Sequence, residues 1–589
     1  MNSIYYHVDI TDVTAHLISV TLRFVPTQAI HELSLPAWIP GSYMIRDFAR
    51  NIISIEATDN LGNLALTQLD KQTWQLHCNT DEVSVSYHVY AYDLSVRAAY
   101  VDDEVAVLNP ACLCLGISQL HDLPHQIKII KPVSALAQHW RVATGLSRNK
   151  NTDFLDFGQY NANSYAALID SPILLGQFEL REFTINDIPH YLVVTGDNLT
   201  DLTRFTDDLI KICQQQVKVF GALPDDLTSY WFLLWVTEEG YGGLEHLNST
   251  LLLCSRFDLP APNISTIDDN YQNLLALCSH EYFHTWWVKR LKPANFARYQ
   301  LASEQYTTQL WLYEGFTSYF DDLALVQSGI ISQTAYIKTL EKTISRVTRN
   351  PSDKAQSLKD SSFTAWTKFY KQDENAVNAV VSYYTKGALL ALCLDATLRE
   401  QGSSLQLVVQ KLWQEYLTSG TPDNALSVIL TQLGFAELAL LSQRWLIDSA
   451  ALPLTDAAVK LGLNLIFRPM QHADDMGGEL NEQSQIFIGA LTKVNNGLLQ
   501  LTHVYHAGAA YSAGLMVGDQ LLALEQRKIT ASNFSQLLQR YATNSSVTVH
   551  FYRKDRLLHC TLTLAASVQQ VAMLSITEQG LCDSWLNAN

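Results

Sequence analysis

His280, Glu281 and His284 stand in the pattern H-E-x-x-H. On a helix, residues four apart share one face, about a turn from each other. Two imidazoles so spaced can grip a single metal ion, and the glutamate after the first can reach a water held there. Such a set hydrolyses resistant bonds. That work needs a metal to acidify water, a base to take its proton and a group to polarise the carbonyl. The run 268–288 lacks Gly and Pro. Asp268, Asp269 and Asn270 offer N-caps at its start, and Lys289, Arg290 and Lys292 lie at its end before Pro293. Leu274, Leu277, Glu281, His284 and Val288 fall along one stripe, which predicts a helix over this run.

A catalytic zinc site usually has three protein ligands and one open position. Glu304 and Glu314 compete for the third place. Glu304 lies in a polar segment, 300–309, whereas Glu314 sits within Leu310-Trp311-Leu312-Tyr313-Glu314-Gly315-Phe316. A carboxylate in so apolar a stretch needs a partner, because an unpaired buried charge is costly. Glu314 is therefore the expected ligand, and Gly315 is expected to let its segment pack closely on the histidine helix.

Two more segments could carry chemistry. In Tyr241-Gly242-Gly243-Leu244-Glu245-His246, a Gly-Gly turn beside a strand suits close approach by a substrate backbone, and Glu245 could pair with an α-ammonium. In Ser382-Tyr383-Tyr384-Thr385-Lys386-Gly387, a tyrosine hydroxyl could stabilise a developing oxyanion, or simply start a core helix.

G-G-L-E-H, H-E-x-x-H, E-G-x-T-x-Y and Y-x-K-G-A, taken together and in this chain order, resemble the glycyl aminopeptidase family of zinc peptidases, gluzincins with a C-terminal PDZ domain. Pro36-Ala37-Trp38-Ile39-Pro40-Gly41-Ser42-Tyr43 and Val288-Lys289-Arg290-Leu291-Lys292-Pro293 extend the likeness, as does the stretch 507–522, an A-x-x-A-G-L-x-x-G-D-x-L-L pattern similar to PDZ domains. The resemblance implies one Zn2+ per chain on His280, His284 and Glu314, with Glu281 as general base. It implies Glu245 as holder of the substrate's free N-terminus beside Gly242 and Gly243, and Tyr384 as oxyanion donor, with Tyr383 a one-position alternative. Small first residues, Gly or Ala, are the implied substrates. Trp287 departs from the family's pattern, where an Asn is expected.

The elements that must position these groups follow from the rest of the chain. Its 589 residues are 48% apolar and 17% charged, the composition of a folded globular protein of several domains. A net charge of −18 disfavours nucleic acid and anionic membranes as partners. No signal-like N-terminus and no apolar run of spanning length stand out, and nine scattered cysteines suit a reducing compartment, so a cytoplasmic location is expected. The predicted fold is multidomain α+β. A β-rich domain over 1–172 precedes a thermolysin-like α/β and helical zinc-peptidase domain over 173–452. A linker over 453–480, a PDZ-like domain over 481–570 and a tail over 571–589 complete it. The predicted activity is removal of N-terminal residues from peptides, with a peptide C-terminus as a candidate PDZ ligand. A PDZ-guided endopeptidase and a non-catalytic peptide-binding protein are the alternatives.

Overall fold

A computed structural model describes residues 3–79, 82–350, 355–449, 451–470, 475–478, 486–565 and 569–587. The chain is multidomain α+β and divides into two compact units, Met1–Gln305 with Trp413–Thr421, and Tyr306–Leu412 with Pro422–Asn589.

The first unit begins with an eight-stranded sheet in which Ile4–Asp12 lies between Leu17–Phe24 and His125–Ile129. Alternation sets its faces: Ile4, Tyr6, Val8 and Ile10 are buried, while the residues between them point away. Two four-stranded sheets accompany it. A five-stranded sheet follows, in the order Phe178–Ile185, Ile188–Thr195, Tyr230–Thr237, Ser249–Ser255 and Gly242–Glu245. Its middle strands are parallel. Tyr230–Thr237 is accordingly apolar and buried along nearly its whole length, as a strand flanked by parallel neighbours and covered on both faces must be. The helix Leu202–Phe220 makes the crossover between two of these strands; Asp201 caps its start and Gly221, at φ 91°, ends it. Trp231, Leu233, Trp235, Leu244 and Leu251 share one apolar core with the N-terminal strands, so the packing runs unbroken past residue 172.

The histidine helix spans Asp269–Phe283 and packs on Leu202–Phe220 and Gly242–Glu245. Asp268 caps it through the Tyr271 amide at 2.8 Å. It stops five residues short of the predicted end. Val288 has φ 71°, a left-handed conformation costly for a β-branched residue, held by a 2.7 Å bond from its amide to the Leu291 carbonyl.

The second unit is mainly helical. Trp311–Gly315 forms a π-helical turn that runs into Phe316–Gln327, and the helices Gln333–Thr348, Thr385–Glu400, Leu405–Tyr416 and Ala436–Ile447 follow. Gly315 packs within the second unit. It lies against Gly387 of Thr385–Glu400, where an added Cβ would stand 2.6 Å from the Gly387 Cα. The segment expected as a linker contains a helix, Leu454–Lys460, and a strand, Leu463–Pro469. That strand pairs antiparallel with Gln569–Ile576, beyond which Gln579–Leu586 packs back through the buried Trp585. Residues 569–586 are thus built into the unit rather than trailing from it. Between the paired strands, residues 486–565 form a small β-domain with two short helices and a separate apolar core that includes Ile488, Leu501, Leu521 and Val549. Residues 481–485 and 566–568, within the expected PDZ-like span, lie outside the described residues. No helix among the described residues is long and apolar enough to cross a membrane.

Candidate active site

His280 occupies the last turn of its helix and His284 is the residue that caps it. Their ring centroids are 4.8 Å apart. The His284 Nδ1 lies 3.0 Å from the Trp287 carbonyl, a contact that makes Nδ1 the donor and leaves Nε2 to face a metal. Because a backbone carbonyl makes it, the contact does not require the Asn expected at position 287.

His280, His284 and Glu314 each offer one ligand atom, and these atoms all lie within 4.8 Å of one another. Glu314 is buried, on the π-helical turn. Such turns widen the helix locally and recur at functional positions. Glu304 is half-buried and outside the cluster. Two imidazoles and a carboxylate form a donor set suited to zinc, and the unconnected loop position of Glu304 leaves Glu314 as the third candidate.

Glu281 is buried directly over Gly243. A Cβ at Gly243 would fall 2.2 Å from its Oε1. Gly242 and Gly243 therefore do not form a turn: both belong to the extended edge strand Gly242–Glu245, and Gly243 makes room for the glutamate. A Cβ on Gly242 would meet only ordinary contacts. The Gly243 carbonyl accepts a long bond, 3.4 Å, from Arg97.

Glu245 ends that strand and is 4% exposed. Its carboxylate rests on Gly41, whose φ of 95° and bare Cα allow an approach that a Cβ would block at 2.6 Å. Oε1 is buried without a hydrogen-bond partner among the described residues. Gly41 is held by the P-x-W-x-P-G-S-Y segment, in which the Ser42 amide bonds to the Ile39 carbonyl at 3.0 Å. The Trp38 indole donates to the Gln300 and Ser303 carbonyls, each at 2.9 Å.

Sequence reasoning missed the support beneath Glu245. Asp170, at the end of the short helix Tyr165–Ile169, receives the Lys289 ammonium at 2.6 Å and the Leu247 amide at 2.8 Å, and lies 3.4 Å from the His246 Nδ1. Burial works to raise the Asp170 pKa, but Lys289 and then His246 outweigh it and hold the carboxyl well below the usual range. Burial likewise works to lower that of Lys289, and Asp170 outweighs it and holds the ammonium well above the lysine range. Arg290 bonds to the Leu247 and Thr285 carbonyls at 2.8 and 2.7 Å and to Asp226 at 2.7 Å. The V-K-R run thus pins the loop after Glu245 from two sides. Nothing around Asp170 in sequence signals this, since its partner lies 119 positions away.

Tyr383 and Tyr384 stack at 4.7 Å between ring centroids ahead of Thr385–Glu400. Tyr383 is fully buried, whereas Tyr384 is partly open and lines a cavity. Burial, then Glu314, Tyr370 and Tyr383, hold the Tyr384 hydroxyl well above the ordinary tyrosine range.

Residues 5–177 match the family described as Peptidase M61 N-terminal domain, and residues 273–390 match M61 glycyl aminopeptidase. An aminopeptidase N family protein from Idiomarina loihiensis, solved by crystallography, is 40% identical over 99% of this chain and 100% of its own, with a TM-score of 0.96. An M1 zinc metallopeptidase from Deinococcus radiodurans covers 77% of this chain and 95% of its own at 12% identity and a TM-score of 0.49, a likeness too low to bear on the argument. No curated protein matches the chain.

Proposed function

Since the chain belongs to the M61 glycyl aminopeptidase family and is a zinc aminopeptidase, we propose that it removes single small residues, Gly or Ala, from peptides with a free N-terminus. The observation that carries this reading is the Glu245 carboxylate, buried with an unpartnered oxygen on the same strand as the glycine beneath Glu281. An α-ammonium supplies the donor that this oxygen lacks among the described residues. The Gly41 backbone against that carboxylate supports the size preference, because it limits room beside the ammonium.

His280, His284 and Glu314 would hold the zinc. When bound, it supplies the Lewis acidity that makes water a nucleophile near neutral pH. Glu281 then takes the proton of the attacking water and passes it to the leaving amine. The Tyr384 hydroxyl donates to the carbonyl oxygen as charge develops there, and Glu245 holds the ammonium so that only the first peptide bond is presented. Gly242 and Gly243 give the edge strand its reach toward a substrate backbone. Residues 486–565, with Ala490–Asn495 as an edge strand, suit a PDZ-like domain that takes a peptide C-terminus by strand addition. A cytoplasmic location goes with this reading.

The test compares glycyl peptides with their N-acetylated forms in wild type and in Glu245→Ala. The variant should lose about two orders of magnitude in kcat/KM on the free peptides, as expected when a buried charged contact goes unmade, and little on the blocked ones. Equal losses on both would refute exopeptidase action.

A further inference from the structure

Beside Tyr384 lies a cavity of about 420 Å³. The volume falls within the roughly 300–1,000 Å³ usual for small-ligand sites. Every residue that lines it belongs to the second unit. Arg346 comes from Gln333–Thr348, Lys386 from the first turn of Thr385–Glu400, and His503 from the strand Leu498–Val504 of the small β-domain. Although the chain as a whole carries a charge of −18, no Asp or Glu lines this cavity among the described residues. Lys386 is buried, Arg346 is exposed at the rim, and Asn350 and Gln372 add amide groups.

The small β-domain is fastened where it meets this wall. Asn378 donates to the Val504 carbonyl and accepts from the His506 amide, both at 2.9 Å. His503 is thereby fixed next to Val504, and Asn378 lies in the segment that leads into Tyr384.

We infer that this cavity is the subsite for the leaving portion of the substrate, and that Arg346 and His503 at its wall recognise a carboxylate there. One observation places it on that side of the scissile bond: it shares Tyr384, the proposed oxyanion donor, with the reaction centre. A guanidinium and an imidazole, with no acid among the described lining residues, suit a carboxylate, for which arginine is the best-matched partner. The source is either the C-terminus of a short peptide or an Asp or Glu side chain shortly after the cut. Either way the small β-domain contributes to catalytic selectivity as a wall of the site. The inference rests on the assignment of Tyr384 as oxyanion donor.

The experiment uses the full chain loaded with zinc and three probes: Gly-Ala-Ala as free acid, Gly-Ala-Ala amide, and Gly-Ala-Glu amide. Wild type should favour the free acid over the neutral amide by about fivefold in kcat/KM, the size of a partly exposed charge pair. Recovery of the preference with Gly-Ala-Glu amide assigns the carboxylate to a side chain, and its absence assigns it to the C-terminus. Arg346→Ala should bring the acid-to-amide ratio near one, and Arg346→Glu should invert it. His503→Ala should lower it, tying the small domain to the effect. The ratio is internal to each variant, so partial loss of folding does not imitate the result. Equal rates on all three probes in wild type, or an unchanged ratio in Arg346→Glu, would overturn the inference alone. Failure of wild type to cleave any of the three would instead bring down the aminopeptidase reading with it.

Discussion

Glu281 and Glu245 each rest on a glycine floor: one carboxylate lies on Gly243 and the other on Gly41. Glu281→Gln keeps the shape and the floor but cannot accept a proton. It should retain one zinc per chain by metal analysis while kcat falls about 10²–10⁴-fold, the usual worth of a general base; normal turnover would remove Glu281 from that role. Gly41→Ala tests the other floor. Its φ of 95° strains any side chain, and its Cβ would meet both Glu245 oxygens at 2.6 Å. We expect KM for free-N-terminus peptides to rise about tenfold or more from a displaced anchor, with no comparable change in zinc content. At this scale the sequence disclosed what sits in local patterns. H-E-x-x-H is legible because four-residue spacing is a helical rule, and Glu314 because a carboxylate in an apolar run needs a partner. Asp170 was hidden, since its value comes from Lys289, His246 and Leu247, all brought to it by folding. Lys289→Met leaves that carboxylate without its cation. Asp170 keeps 21% of its side chain exposed, so the expected cost is the lower end for a broken buried pair, about 3 kcal/mol. Asp170→Asn in the same chain should recover most of it. The depressed Asp170 contributes stability that is present above the ordinary carboxylate pKa and lost as pH falls through its folded value. The raised Lys289 contributes stability present below the ordinary lysine pKa and lost as pH rises through its folded value. Urea denaturation should therefore give a constant difference between wild type and Lys289→Met from about pH 5 to 9, shrinking only outside that window.

Elements carry these residues, and their ends matter more than their middles. The histidine helix was legible from its caps and stripe, but not its stop at Phe283, because the left-handed Val288 is a tertiary imposition that no propensity signals. The π-helical turn under Glu314 was equally unreadable, as its sequence is that of an ordinary apolar helix. Gly315 reads as a close-packing residue, and Gly387 lies against it. The crossing with Gly387 joins the Glu314 turn to the helix that follows Tyr384, so one contact positions two candidate site residues. A Cβ on Gly387 would stand 2.8 Å from the Gly315 Cα and 3.0 Å from the Trp311 carbonyl, both backbone atoms that cannot swing aside. Gly387→Ala should therefore destabilise the protein by about 1–3 kcal/mol and weaken zinc retention against a chelator by about tenfold. Unaltered zinc affinity in a folded variant would uncouple this crossing from the metal ligand.

Over the whole molecule, alternation and turn spacing disclosed the β-rich start, the mixed middle and the small β-domain. The joins were not legible. Apolar packing runs past residue 172 because Trp231, Leu233 and Trp235 face the same core as the first strands. Residues 569–586 hold a strand and a helix, and among the described residues Leu463–Pro469 pairs with Gln569–Ile576 alone. That pairing makes the small domain an insertion between two adjacent strands, with its own apolar core. Replacing 479–568 by a short glycine-rich linker should leave the rest cooperatively folded and able to bind zinc, as judged by thermal unfolding with and without metal. An aggregated or non-cooperative product would show that the insertion is part of the fold's support.

The paired strands also impose an order of events on a chain made from its N-terminus. Leu463–Pro469 emerges from the ribosome about a hundred residues before its mate, and an excursion of that length is costly to close while it remains a flexible coil. A nascent domain that collapses first draws its own ends together and shortens the effective loop. The late-born Gln569–Ile576 then finds its place almost as the second arm of a hairpin, and the helical unit is sealed only after the inserted domain has been made.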